Sequence, residues 1–129
     1  MEKYTAKVTE STRVLTAVEK VRIRTALDTM ESINDNLKGV KDFAIPNIDY
    51  LATVEVHNPN VTEGGNVDYT VYVIATTDGK YYRTSSDSFA ASAADIISDM
   101  QEVNEPWQLI AYKLPSKKNQ GDFLTATVG

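Results

Sequence analysis

Tyr72, Tyr81 and Arg83 stand close together in "TVYVIATTDGKYYRT" (Thr70 to Thr84), a β-rich run that doubles back at Asp78-Gly79. Two phenol rings offer flat faces on which a base can stack, and a guanidinium can stack or pair with a phosphate. A two-residue type I′ turn at Asp78-Gly79 pairs Thr77 with Lys80, Thr76 with Tyr81, Ala75 with Tyr82, Ile74 with Arg83 and Val73 with Thr84. Side chains alternate across a strand. One face then carries Tyr69, Val71, Val73, Ala75 and Tyr82, and is expected to be core. The other carries Thr70, Tyr72, Ile74, Thr76, Tyr81 and Arg83, an expected stacking surface.

The cations bear on the same surface. The net charge is −5, which on its own argues against a polyanionic partner. Residues 45–129 hold only Lys80, Arg83, Lys113, Lys117 and Lys118 as bases, and Lys113, Lys117 and Lys118 fall on the strand "WQLIAYKL" and the loop "PSKKNQGD". Asp87, Asp95, Asp99, Glu102 and Glu105 are gathered in a segment without a base. Local fields rather than the total charge steer a polyanion. Three ring platforms, Tyr72, Tyr81 and Tyr112, give a gross stacking contribution on the order of 3–9 kcal/mol. About four neutralised phosphates give a log–log salt slope near −3 for a single strand. Tyr69, Tyr82 and Trp107 are expected in the core.

Other chemistry finds little support. The chain has no cysteine, which excludes disulfides and thiolate metal sites and fits a reducing cytoplasm. His57 is the only histidine, with no second imidazole to share a metal. Asp95 and Asp99, four apart, read as a solvated helix face rather than a divalent-ion site. Asn60-Val61-Thr62 matches a glycosylation sequon, but nothing in the sequence indicates secretion. No nucleophile elbow, phosphate loop, zinc motif or acid/base dyad is present, so no enzyme activity, metal or cofactor is expected. No apolar run reaches membrane-spanning length, and "MEKYTAKVTE" lacks the apolar centre of a secretion signal.

The elements that must position these residues can be read from periodicity. Thr16-x-x-Glu19 forms a capping box. Ile23, Ala26, Leu27, Met30, Ile33 and Leu37 recur near helical spacing, although "KVRIR" also alternates like a strand and Asp28 marks a break. "IDYLATVEVH" alternates, with Ile48, Tyr50, Ala52, Val54 and Val56 on one face. The two strands of the hairpin follow. Ser85 or Ser86 then caps a helix with Phe89, Ala93, Ile96, Ile97 and Met100 as its apolar stripe. "WQLIAYKL" and "FLTATV" complete the set. Three strands, a helix and two strands are the order of an OB-fold. The expectation is a mainly β chain: a five-stranded OB-fold barrel over residues 45–129, with a helix between strands 3 and 4 and an N-terminal helical extension over residues 1–44.

From Tyr69 onward the chain resembles small phage single-stranded DNA-binding proteins, those of protein-primed podophages of Gram-positive bacteria and related mobile elements. The residues that carry the likeness are "YVIATTDGKYYRTSSDSFAASAADIISDM" and "PWQLIAYKLPSKKNQGDFLTATV". They cover a little under half of the chain and leave residues 1–44 outside. The resemblance implies binding of single strands without sequence preference during genome replication in the host cytoplasm, with replication proteins as further partners. Surface tyrosines of that family map by strand position to Tyr72, Tyr81 and Tyr112. The alternative from another class is an acidic protein that mimics a phosphate backbone and blocks a host DNA enzyme, using Asp87, Asp95, Asp99, Glu102 and Glu105.

Overall fold

The computed structural model describes residues 5–59, 67–115 and 122–129. Among these residues, eight strands form two sheets. One has the order β1 (Thr5–Ser11), β4 (Ile48–His57), β5 (Asp68–Thr76), β6 (Tyr81–Thr84), β2 (Glu31–Ser32). The other has the order β3 (Asp42–Pro46), β7 (Gln108–Pro115), β8 (Asp122–Val128). The helices are α1 (Ala17–Ala26), α2 (Ile33–Asn36) and α3 (Asp87–Met100). All five expected strands and the helix between the third and fourth are present. β3 and β4 are separated only by Asn47, whose φ of 59° turns the chain so that β3 pairs with β7 and β4 with β5. A left-handed residue is well tolerated as asparagine.

The expected barrel is corrected in one respect: the strip β6-β5-β4/β3-β7-β8 does not close. Among the described residues β6 takes β2 as a parallel neighbour, with Glu31 opposite Tyr82 and Ser32 opposite Arg83. α3 lies along β8, where the Ser88 hydroxyl donates to the Leu124 carbonyl at 2.6 Å and Ser92 meets Thr125 at 3.1 Å. Both ends of the strip are thus covered by elements other than each other, which answers the same edge problem that closure would answer.

The expected N-terminal helical extension is also corrected. The helix does start at the Thr16–Glu19 capping box, with both reciprocal bonds made. It ends at Ala26, passes through one 3₁₀ turn (Leu27–Thr29), and is followed by β2 and α2. Strands β1 and β3 of this segment pair with β4 and β7. The periodic apolar residues nevertheless point inward: Ile23, Leu27, Met30, Ile33 and Leu37 are buried and Ala26 is half-buried against the first core. Helical spacing recorded burial along a chain whose backbone changes type.

Two cores sandwich the five-stranded sheet. On one side Leu15, Ile23, Leu27 and Met30 cover Tyr50, Ala52, Val54, Val71 and Val73. On the other, Phe89, Ala93 and Ile97 of α3 and Leu109, Ala111 and Leu124 of the second sheet cover Leu51, Ile74 and Tyr82. A bulge at Asp49 sends Ile48 to the second core and Tyr50 to the first, so these two do not share a face.

The hairpin register differs by one residue from the expected one. Ala75 is opposite Tyr81, Ile74 opposite Tyr82, Val73 opposite Arg83 and Tyr72 opposite Thr84. A type I′ turn needs positive φ at both central residues. Among the described residues, Asn47 is the only non-glycine with positive φ, so Asp78 does not supply it, whereas Gly79 has φ of 88°. The loop is therefore three residues, Thr77 to Gly79. The Gly79 N–H donates to the Thr76 carbonyl at 3.2 Å, and the Thr76 N–H donates to the Lys80 carbonyl at 3.0 Å. The buried Thr76 hydroxyl completes the loop: it donates to the Asp78 carboxylate and accepts from the Lys80 N–H at 3.0 Å. A one-residue slip moves every side chain of β6 to the other face. Tyr82 is in the core as expected, but in the second one, beside Phe43, ring to ring at 5.5 Å, rather than with Val71, Val73 and Ala75, and Tyr81 does not share a face with Tyr72.

Candidate nucleic-acid interface

The slip divides the expected stacking surface in two. Tyr72 is on the face that α3 partly covers. Its hydroxyl donates to Asp87 Oδ1 at 2.5 Å, with Asp87 in the first turn of α3 behind the Ser86 cap. This bond, then burial, then the negative charges of Asp87, Glu55 and Glu10 push the phenol up to about 12. A phosphate backbone laid over this ring would meet three carboxylates. A neutral phenol of raised pKa contributes stability below its unfolded value near 10, and that contribution is lost as pH rises through about 12. Alkaline titration followed by tyrosinate absorbance should show Tyr72 titrating late, alongside Tyr50, whose phenol burial also pushes up, and Asp87→Asn should bring Tyr72 alone back toward about 10. Unchanged titration in that variant would show that the bond does not hold the proton.

Tyr81 and Arg83 are on the opposite face of the sheet, two residues apart on β6 and half-buried. Tyr81 packs against the α1-covered core. Arg83 Nη1 donates to the Leu27 carbonyl at 3.2 Å, at the C-terminal side of α1. This carbonyl is the only partner of the Arg83 side chain among the described residues, so its charge is held in place without being neutralised. Arg13 shows the contrast: its fork is taken by Glu19 and Asp49 at 2.5 and 2.8 Å, and it lies 4.9 Å over the Tyr50 ring. Lys80 is exposed at the end of the loop.

Tyr112 and Lys113 are on the second sheet. Tyr112 is opposite Asp42 on one side and Thr125 on the other, and alternates with the buried Leu109 and Ala111. It thus faces outward from the three-stranded sheet, away from the hairpin. Lys113 is exposed on the alternate face, opposite Leu124. Lys117 and Lys118 lie outside the described residues. The structure therefore puts Tyr81 and Arg83 on one face, leaves Lys80 beside Tyr81 in the chain at the exposed end of the loop, and places Tyr72, Tyr112 and Lys113 elsewhere.

The chain matches the family model for phi29-type phage single-stranded DNA-binding proteins over residues 4–129. It belongs to that family. No curated protein and no solved structure matches it. The family assignment spans the N-terminal segment as well, beyond the resemblance read from Tyr69 onward. That agrees with the strands the segment contributes to both sheets.

Two features of this family member escape a reading by motif. Tyr69, expected in the core, is half-buried and lines a groove with Arg83. Lys20, Arg22 and Arg24 of α1 are all exposed on the helix that covers the Tyr81 face. The signal for the second was present in "EKVRIR", where three bases interleave with apolar residues, but its place relative to the hairpin depends on tertiary packing. Among the described residues no helix is long and apolar enough to cross a membrane, and no group of three metal-binding side chains is found.

Proposed function

We propose that the chain binds single-stranded DNA without sequence preference during phage genome replication, with the strand crossing the hairpin on the Tyr81 side. Tyr81 is the stacking platform, Arg83 and Lys80 take phosphates, and Lys20, Arg22 and Arg24 of α1 add positive field beside them. The observation that carries this reading is the part-buried Arg83, anchored to a backbone carbonyl with no carboxylate partner among the described residues, on the same face as the half-buried Tyr81 ring. Stacking plus an electrostatic track is how sequence-tolerant single-strand binders work. Tyr72, surrounded by Asp87, Glu55 and Glu10, is kept out of the central path. Tyr112 and Lys113 are outer contacts for a strand long enough to reach the second sheet, and Lys117 and Lys118 contribute further phosphate contacts.

Titration of labelled oligo-dT at low salt, beside duplex of equal length, tests the function. Preference for the single strand is expected, with affinity falling as salt rises. Each neutralised phosphate contributes about −0.7 to the log–log slope. Equal or absent binding to both ligands would overturn the reading. Retention of a single host enzyme by the chain from nuclease-treated lysate, with no binding to oligo-dT, would point to backbone mimicry through the exposed acids of α3.

A further inference from the structure

β5 runs past the end of β6. The last pair between them is Tyr72 with Thr84, so residues 68–71 have β4 as their only strand neighbour among the described residues. The space left beside them is an open groove of about 690 Å³, walled by β5, the end of β6, the start of α2 and the turn before α3. That volume is within the roughly 300–1,000 Å³ of small-ligand sites. Tyr69 is backed by Val56 across the sheet and by the first core, which holds its ring in place at the groove. Arg83 also lines the groove, and its remaining donors are uncommitted among the described residues. Asp35 is the one carboxylate of the lining, and Lys38 pairs with it at 3.3 Å. Asn34 and Ser85 add neutral polar groups.

We infer that this groove holds a nucleotide unit of the bound strand, its base stacked on Tyr69 and its phosphate on Arg83. The inference rests on the single-strand reading above and makes it more specific, because it gives Tyr69 a role beyond packing and makes Arg83 the link between groove and hairpin. A ring fixed from behind, a guanidinium fixed by a carbonyl and a lone carboxylate already paired with Lys38 together suit a phosphodiester better than an apolar or cationic ligand. Arginine's planar fork matches phosphate geometry.

The test uses the unaltered full chain with oligo-dT containing 5-iododeoxyuridine. Irradiation and peptide mapping should place a crosslink on Tyr69. Tyr69→Leu should weaken oligo-dT binding about fivefold or more, and Arg83→Gln should make the log–log salt slope shallower by about 0.7. The crosslink is read on the unaltered chain, so a misfolded variant does not blur the outcome. Crosslinks confined to other residues, with affinity intact in Tyr69→Leu, overturn the groove and leave the function standing. No binding by the unaltered chain overturns the function and the groove with it.

Discussion

Tyr81→Ala should weaken oligo-dT binding by roughly 5- to 150-fold, the range set by about 1–3 kcal/mol of stacking per base, while Tyr72→Ala should change it by less than about twofold. The difference follows from one backbone feature. The three-residue loop sends Tyr81 to the Arg83 face and leaves Tyr72 beside Asp87. Removing Tyr72 deletes a ring from an acidic surface that repels phosphate; removing Tyr81 deletes a ring that shares its face with Arg83. Adding Arg83→Ala to Tyr81→Ala should lower affinity further and make the salt slope shallower by about 0.7, which separates lost charge from lost stacking. Tyr81 is half-buried against the first core, so thermal melts of both single variants are needed to separate a lost contact with the strand from lost stability. A larger loss in Tyr72→Ala than in Tyr81→Ala would remove the proposed path.

The same hairpin shows what a sequence can and cannot convey. The strand run, the Asp-Gly turn, the Ser86 cap and the apolar stripe of α3 were all legible, because each rests on local chemistry. Register was not. Asp78-Gly79 suits both a two-residue turn and the last two positions of a three-residue loop, since either one places glycine at positive φ. The choice is decided by distant contacts: Tyr82 fits against Phe43, Leu51 and Ile74. Because β5 is buried on both faces, its apolar pattern did not mark one side as core. The charge of the N-terminal segment was visible, but its position over the Tyr81 face depends on α1 packing through Ile23 and Leu27. Closure of the barrel failed for a similar reason, since the two-residue β2, which occupies the edge of β6, has no strand signal of its own.

Phe89→Ala should lower the unfolding free energy by about 3–5 kcal/mol, a large part of the roughly 5–15 kcal/mol typical of such domains. Phe89 is fully buried where α3 meets both sheets, and its own N–H is bound by the Ser86 cap at 3.2 Å. Truncation leaves a cavity that neither sheet can fill without moving against the other, because Tyr82 and Phe43 already hold them in edge-to-face contact. It also loosens α3 from β8, whose edge is shielded through Ser88 and Ser92. An exposed edge pairs with other chains, so the variant should aggregate earlier on heating as well as melt lower. Urea titration should show a reduced midpoint with an unchanged slope. Oligo-dT affinity well below the melting temperature should stay near that of the unaltered chain, since Tyr81 and Arg83 are on the other face of the five-stranded sheet, the α1 side. A loss of affinity that tracks the loss of stability in the still-folded protein would mean that the strand also crosses the α3 side, and the one-sided path would have to be abandoned.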